Sequence, residues 1–447
     1  MSTVRRVLVA LLAGLPAMSS GIDFYEGSRG QLGLDFDLGY GAFRSDRAYA
    51  QTNLSEGNRT WTEGYADVAL IGSLGAWRDS RWYGSLGSLS TATWGDGDAA
   101  GYTTGRERRT ALEDAYLGWR SGSLFPAFGQ DGVDVSVGRR NFMLGDGFLI
   151  DGDALNFGKG FDELADAGIA PQSLDRGGAY WLGRRHAFDR IALVRAGIGT
   201  KLGSTLFWAH SDNEAQAETE IAGADIVYTS DAYGSVAVAY IRGLSVDDRL
   251  AGFLSLAHRD GQDTFNLRYD GSALNESLTV RGEYVHQDNG TEGNDWAWYG
   301  EVAWKFSGTP WSPQAGARYS AFSRSFDPLF YGFSTGYGTW FQGEVSGNYA
   351  GPFNNNTAIT HLHLRGYPNE RLLLGALFYD FRTDDNDAGS LDARELDLFL
   401  TWTVDERISV SPLLGLYKPD ELVAGGGSQL GDDDTNLYAQ IVLQFSF

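Results

Sequence analysis

Read two residues at a time, the chain alternates. In "QLGLDFDLGYG", Leu32, Leu34, Phe36, Leu38 and Tyr40 fall on one face; Gly33, Asp35, Asp37 and Gly39 fall on the other. "DVSVGRR" sets Val135 and Val137 against Asp134, Ser136 and Gly138, and "NLRYDG", "VAWKFS", "THLHLRG" and "ALFYDFR" follow the same rule. In "RELDLFLTW", Leu396, Leu398 and Leu400 oppose Glu395, Asp397 and Phe399. A period of two with one apolar and one polar face is the signature of a strand in a sheet.

About 19 such segments occur, with lengths that suit tilted membrane-spanning strands rather than a soluble sandwich. They lie near 30–43, 62–78, 81–95, 108–121, 130–141, 188–198, 201–211, 221–231, 233–243, 249–258, 262–271, 276–288, 294–307, 312–323, 356–367, 371–383, 391–404, 407–418 and 436–447. Short connectors ("RDSR", "YPNE", "VDER") alternate with long polar ones at 44–61, 96–107, 142–187, 324–355 and 419–435. Short turns on one side and long loops on the other mark an up-and-down outer-membrane barrel. That parity breaks between 212 and 290, so one candidate there is false or part of a longer strand. Residues 337–349 alternate weakly and are assigned to a loop, because a strand there would put a long stretch on the short-turn side. No repeat of fixed period is visible, which argues against a propeller or β-helix.

Aromatics (Trp77, Trp82, Trp94, Trp119, Trp296, Trp298, Trp402, Tyr417) gather near strand ends as interface girdles require, and Phe447 closes an alternating final strand. The chain opens "MSTVRRVLVALLAGLPAMSSG": a basic pair, an apolar run too short to span a membrane, then small residues. This reads as a signal peptide over 1–21, leaving the barrel as 22–447. Sixty glycines, ten prolines, many aromatics and no cysteine fit strands and turns without a disulfide framework. The net charge of −23, about −25 once Arg5 and Arg6 leave with the signal, disfavours nucleic acid as a partner.

Alternation also nominates the lumen. A charge facing lipid at the midplane costs roughly 2–4 kcal/mol, so the polar face must turn inward. The expected pore lining is Arg140, Asn266, Arg268, Arg281, Glu283, Glu301, Lys305, Arg318, His361, His363, Arg365, Asp380, Arg382, Glu395 and Asp397. Adjacent Arg139 and Arg140 point to opposite faces, so one faces the lumen and the other reaches out at an interface or into a loop. In "GRRNFMLGDGFLIDGDAL", Gly145, Asp146 and Gly147 are expected to make a sharp bend at the mouth. Its long loop is expected to fold inward and narrow the lumen near Arg140.

Other constellations carry less. The acidic groups Asp96/Asp98, Asp384/Asp385/Asp387 and Asp432–Asp434 lack the ligand ladder of a calcium loop and read as solvated loops. His361 and His363 share a strand face without an identifiable third metal ligand, so pore lining is preferred to a metal clip. No nucleophile elbow, Walker loop or dinucleotide fingerprint is present; neither an enzyme nor a cofactor is expected.

Several stretches together resemble the alginate-export family of outer-membrane barrels: "VGRRNFMLGDGFLIDGD", "RRHAFDRIALVRAG", "SFDPLFYGFSTGYGTWFQGE", "RELDLFLTW" and "SPLLGLYKPDE" with the final strand. The resemblance is patchy from 212 to 290. It implies a monomeric, 18-stranded barrel in the bacterial outer membrane, surrounded by lipid and lipopolysaccharide, passing an anionic polysaccharide and working with periplasmic export components. The chain departs where the turn before the penultimate strand is only "VDER", which puts a polysaccharide gate in doubt and favours a porin-like role. The expectation is a passive channel for anionic polysaccharide or small anionic or polar solutes; the alternative is a surface-binding or structural barrel with an occluded pore.

Overall fold

The computed structural model describes residues 21–447 apart from 53, 291–292, 333–341 and 388; the expected signal peptide lies almost wholly outside these residues. Among the described residues, twenty-one strands follow one another. They are β1 (Ile22–Gly27), β2 (Gly30–Ser45), β3 (Arg59–Gly75), β4 (Arg81–Gly95), β5 (Arg108–Arg120), β6 (Val133–Arg140), β7 (Met143–Leu144), β8 (Ile150–Asp151), β9 (Phe188–Ala196), β10 (Leu202–His210), β11 (Glu220–Ser230), β12 (Gly234–Ser245), β13 (Asp263–Ala273), β14 (Leu278–Asp288), β15 (Asn294–Lys305), β16 (Gln314–Phe322), β17 (Thr357–Asn369), β18 (Leu372–Thr383), β19 (Ala393–Thr403), β20 (Ile408–Pro419) and β21 (Asn436–Ser446).

Eighteen of these, β2–β6 and β9–β21, form a closed antiparallel barrel. Each pairs with its sequence neighbour, and β21 closes the ring on β2 from Ser45↔Tyr438 to Asp37↔Ser446. The strand β1 folds back on the first residues of β2 and continues the sheet below the chain end, where Phe36 and Phe447 exchange backbone bonds. The alternation of the sequence becomes an alternation of exposure: in β9, Leu193 is 1% exposed and Val194 is 41% exposed. The exposed set is dominated by Leu, Val, Ile, Tyr and Trp, the residues suited to an apolar band facing lipid.

Of the candidate strands, 249–258 is the false one. It forms a helix (Asp248–Leu254) whose N-cap, Asp247, accepts from the amides of Arg249 and Leu250. Leu250 and Ala251, adjacent on one helical face, pack on Leu174 and Ala217. The apparent period of two was a misread helical stripe. β1 was not foreseen.

By the barrel convention the short connectors are periplasmic and the long ones extracellular. The extracellular loops L1 to L9 span 46–58, 96–107, 141–187, 211–219, 246–262, 289–293, 323–356, 384–392 and 420–435. The described part of 337–349 belongs to L7, as expected. No helix among the described residues is long and apolar enough to cross a membrane.

Candidate functional site: the loop-filled lumen

L3 leaves the wall at β6 and crosses the lumen. Its first part is the β7–β8 hairpin, whose bend contains Gly145 and Gly147 at φ 62° and 89°, with the Gly147 amide donating to the Leu144 carbonyl at 3.1 Å. Positive φ explains glycine at both positions. The tip meets the far wall: the Tyr299 hydroxyl donates to Asp146 Oδ2 at 2.6 Å, and Phe148 packs on Tyr299 and Phe322. Burial raises the Asp146 pKa against that hydrogen bond. Burial, with the Asp146 charge beside it, pushes Asp151 up to about 7.

The bend therefore lies inside the barrel rather than at its mouth. A Cβ on Gly145 would sit 2.8 Å from Arg268 Nε, so the tip abuts Arg268 on β13, not Arg140. The returning half of L3 runs along β2–β5. There the Leu182 amide donates to Glu63, the amides of His186 and Ala187 donate to Glu113, and Arg184 pairs with Asp37 at 2.9 Å. Burial lowers His186 to about 4, so its ring is neutral.

L7 fills the space beside L3. Backbone bonds join Phe330 to Leu149 and Asp151, adding an L7 segment to the hairpin. Glu395 on β19 accepts from the amides of Val345 and Ser346, Asp397 accepts from Glu344, and Trp181 of L3 donates to Glu344. Tyr349 packs on Trp61 and Tyr438. From L5, Arg259 grips Asp327 of L7 at 2.6 and 2.8 Å.

Most of the expected inward side chains sort into four groups. Arg281, Glu301, Arg318 and His361 stand in one register row across β14–β17, joined on β13 by Asp270, which the sequence reading did not nominate; acid and base alternate before the histidine. Arg318 lies 3.4 Å from Glu301 and donates to His361, which stacks flat on Tyr379 at 4.3 Å; His363 is buried beside it. Glu283, Asn266 and Arg268 form a second knot, with Arg268 pairing to Asp225 at 2.7 Å. Glu395 and Asp397 anchor L7. Lys305 and Arg365 stand lower, toward the periplasmic end, with Arg365 bonded to Gln314.

Asp380 and Arg382 are a correction. In β18 the inward set is Leu377, Tyr379 and Phe381, all buried against the loops, so the intervening Asp380 and Arg382 face outward at the extracellular rim. There they form an ion-pair network with Arg394, Asp392 and Asp420. The apolar face of this strand serves the loop-filled interior, and alternation alone does not distinguish that from lipid. Asp98 also departs from a solvated loop: it is buried, accepts from Ala100, Tyr102 and Thr103, and burial pushes it up to about 6.

Arg140 faces the lumen, 4.4 Å over the Tyr116 ring, while Arg139 reaches into the loops and pairs with Asp212 at 2.8 Å. Asp212 also takes Arg176 and Arg185, so one L4 carboxylate gathers three guanidiniums. Residues not nominated by the sequence reading also face the lumen: Asp67, Asp114, Arg120 and Arg195 from the wall, and Arg184 from L3. Asp35 and Asp37 lie on the polar face of β2 but are not among the expected pore-lining residues. The strand ends hid Arg120 and Arg195, and nothing local marks Arg184. Among the described residues, no group of three or more His, Asp or Glu side chains is arranged to hold a metal ion.

This architecture defines a porin-like outer-membrane β-barrel. Among solved structures, OccK5 (OpdH) of Pseudomonas aeruginosa is similar over 93% of this chain and 98% of its own, with a TM-score of 0.54 at 8% identity. OccK7 (OpdD) of the same organism gives the same coverage with a TM-score of 0.53 at 12% identity. These likenesses are of fold. No protein-family model and no curated protein sequence matches the chain, so the alginate-export resemblance gains no support from them.

Proposed function

We propose that the chain is a passive channel through which small polar solutes cross the outer membrane. The observation that supports this is a closed barrel whose long loop L3 turns into the lumen and leaves charged wall residues partly exposed beside it. Asp37 of the wall and Arg184 of L3 paired to it, for instance, keep side-chain exposures of 23% and 37%. Weak contacts at several positions suit transit, whereas one tight site would arrest it. The driving force is a concentration gradient.

A narrower form, passage of anionic saccharides, draws on Arg281, Lys305 and Arg365 in the periplasmic half. The apolar outer face would be solvated by membrane lipid and lipopolysaccharide. Planar-bilayer recording of the purified protein tests the reading: single-channel steps are expected, and absence of ion current would replace it with an occluded, structural barrel. Current block by oligouronates but not by neutral oligosaccharides would support the anionic form. Arg365→Glu is expected to move the reversal potential toward cation preference.

A further inference from the structure

The partly exposed charges on the β2–β9 wall are sorted by depth. Toward the extracellular side the register sets Asp37 directly opposite Asp67, and places Asp35, Ala69, Gly87 and Asp114 in one inward row. Only the small residues Ala69 and Gly87 stand between the two end carboxylates. A shift in register at Gly87/Ser88 turns both Glu113 and Asp114 inward. Arg184 pairs here with Asp37 and its charge also reaches Asp67, offsetting part of this acidity, while Asp67 Oδ1 has no hydrogen-bond partner. Like charges facing each other across two strands destabilise a sheet, unless a cation in the space between offsets them.

Further toward the periplasm the sign reverses: Tyr116 lies one inward position below Asp114, roughly 7 Å along the strand, and Arg120 three, roughly 20 Å. Arg140 lies over Tyr116, and Arg120 lies 4.8 Å over Tyr83. The Tyr83 hydroxyl and Arg120 both bond Asp134, and Arg195 stands in register with that same carboxylate. Arg120 and Arg195 thus share one acid, while Arg140 donates to Ser136; Arg120 and Arg140 are each held over a tyrosine ring. Guanidinium groups with donors to spare bind carboxylates through paired hydrogen bonds.

Resting on the channel reading above, we propose that this two-level wall is a transit site for amino-acid-like zwitterions. The solute's ammonium group would lie among Asp35, Asp67 and Asp114, and its carboxylate would lie on Arg140 and Arg195. A neutral solute of equal size gains from neither level. A simple anion gains from the lower level but is repelled by the upper.

Liposome swelling with the full-length barrel tests this, using isosmotic glutamine and the similarly sized neutral polyol arabitol. The wild-type rate ratio of glutamine to arabitol is expected to exceed one several-fold. It should fall toward one both in Asp67→Asn/Asp114→Asn and in Arg140→Gln/Arg195→Gln, with folding of each variant checked by its heat-shifted gel mobility. A ratio near one in the wild type, or unchanged in both variants, would overturn the zwitterion site while leaving the channel. Loss confined to the arginine variant would also overturn it, in favour of a simple anion site. No swelling with either solute and no bilayer current would instead sink the channel reading itself.

Discussion

Asp327→Asn should release the lumen loops without harming the barrel. Asp327 accepts from Arg259 at 2.6 and 2.8 Å and from His258 at 3.0 Å. The ion pair is almost fully buried, at 4% and 1% side-chain exposure. Removing one partner of such a pair strands the other charge and costs about 3–5 kcal/mol. The pair joins L5 to L7, and L7 joins the L3 hairpin through Phe330, so the cost falls on loop docking rather than on strand pairing. At tenfold per 1.4 kcal/mol, the docked-to-loose ratio should drop roughly 10²- to 4 × 10³-fold. Single-channel records should show more open-state noise and frequent larger substates, and L7 should become protease-sensitive in a barrel that keeps its heat-shifted mobility. The double variant Arg259→Met/Asp327→Leu, which leaves no stranded charge, should recover much of the quiet record. Burial raises the Asp327 pKa, but Arg259 and His258 outweigh it and hold the carboxyl below its ordinary value. A depressed acid pKa stabilises docking above the unfolded-state value of about 3.9 and is lost as pH falls through the folded value. Quiet records should therefore persist across neutral pH and fail only in strong acid. If Asp327→Asn gives wild-type noise and an unchanged proteolysis pattern, the loops are held by something other than this pair.

Two further outcomes follow from packing and orientation. A Cβ on Gly160 would lie 1.7 Å from the Gly101 carbonyl oxygen, so Gly160→Ala should part L3 from L2 at a cost of about 1–3 kcal/mol, read as faster proteolysis within 141–187. Because Asp380 and Arg382 face outward, Arg382→Gln and Asp380→Asn should leave the reversal potential unchanged; a shift in either would place them in the lumen.

The barrel was legible in the sequence because a strand with one face in lipid must repeat every two residues. Val135 and Val137 against Asp134 and Ser136 carry that constraint locally. Most of the barrel strands and the short and long connectors follow from it; the count of eighteen rested on the family resemblance and the inward turn of L3 on the length of that loop. The helix at Asp248–Leu254 escaped because seven residues are too few to separate a stripe from an alternation, and β18 was read inside out because its apolar face packs against loops. Which charges meet across the lumen lay beyond any local pattern. Arg184 reaches Asp37 across 147 positions of sequence, and Asp146 meets Tyr299 across 153. Alternation assigns each residue a side of the wall. Only closure of the ring and the paths of L3 and L7 through it decide which carboxylates stand above which guanidiniums, because those pairings depend on distances the chain sets only once it is folded.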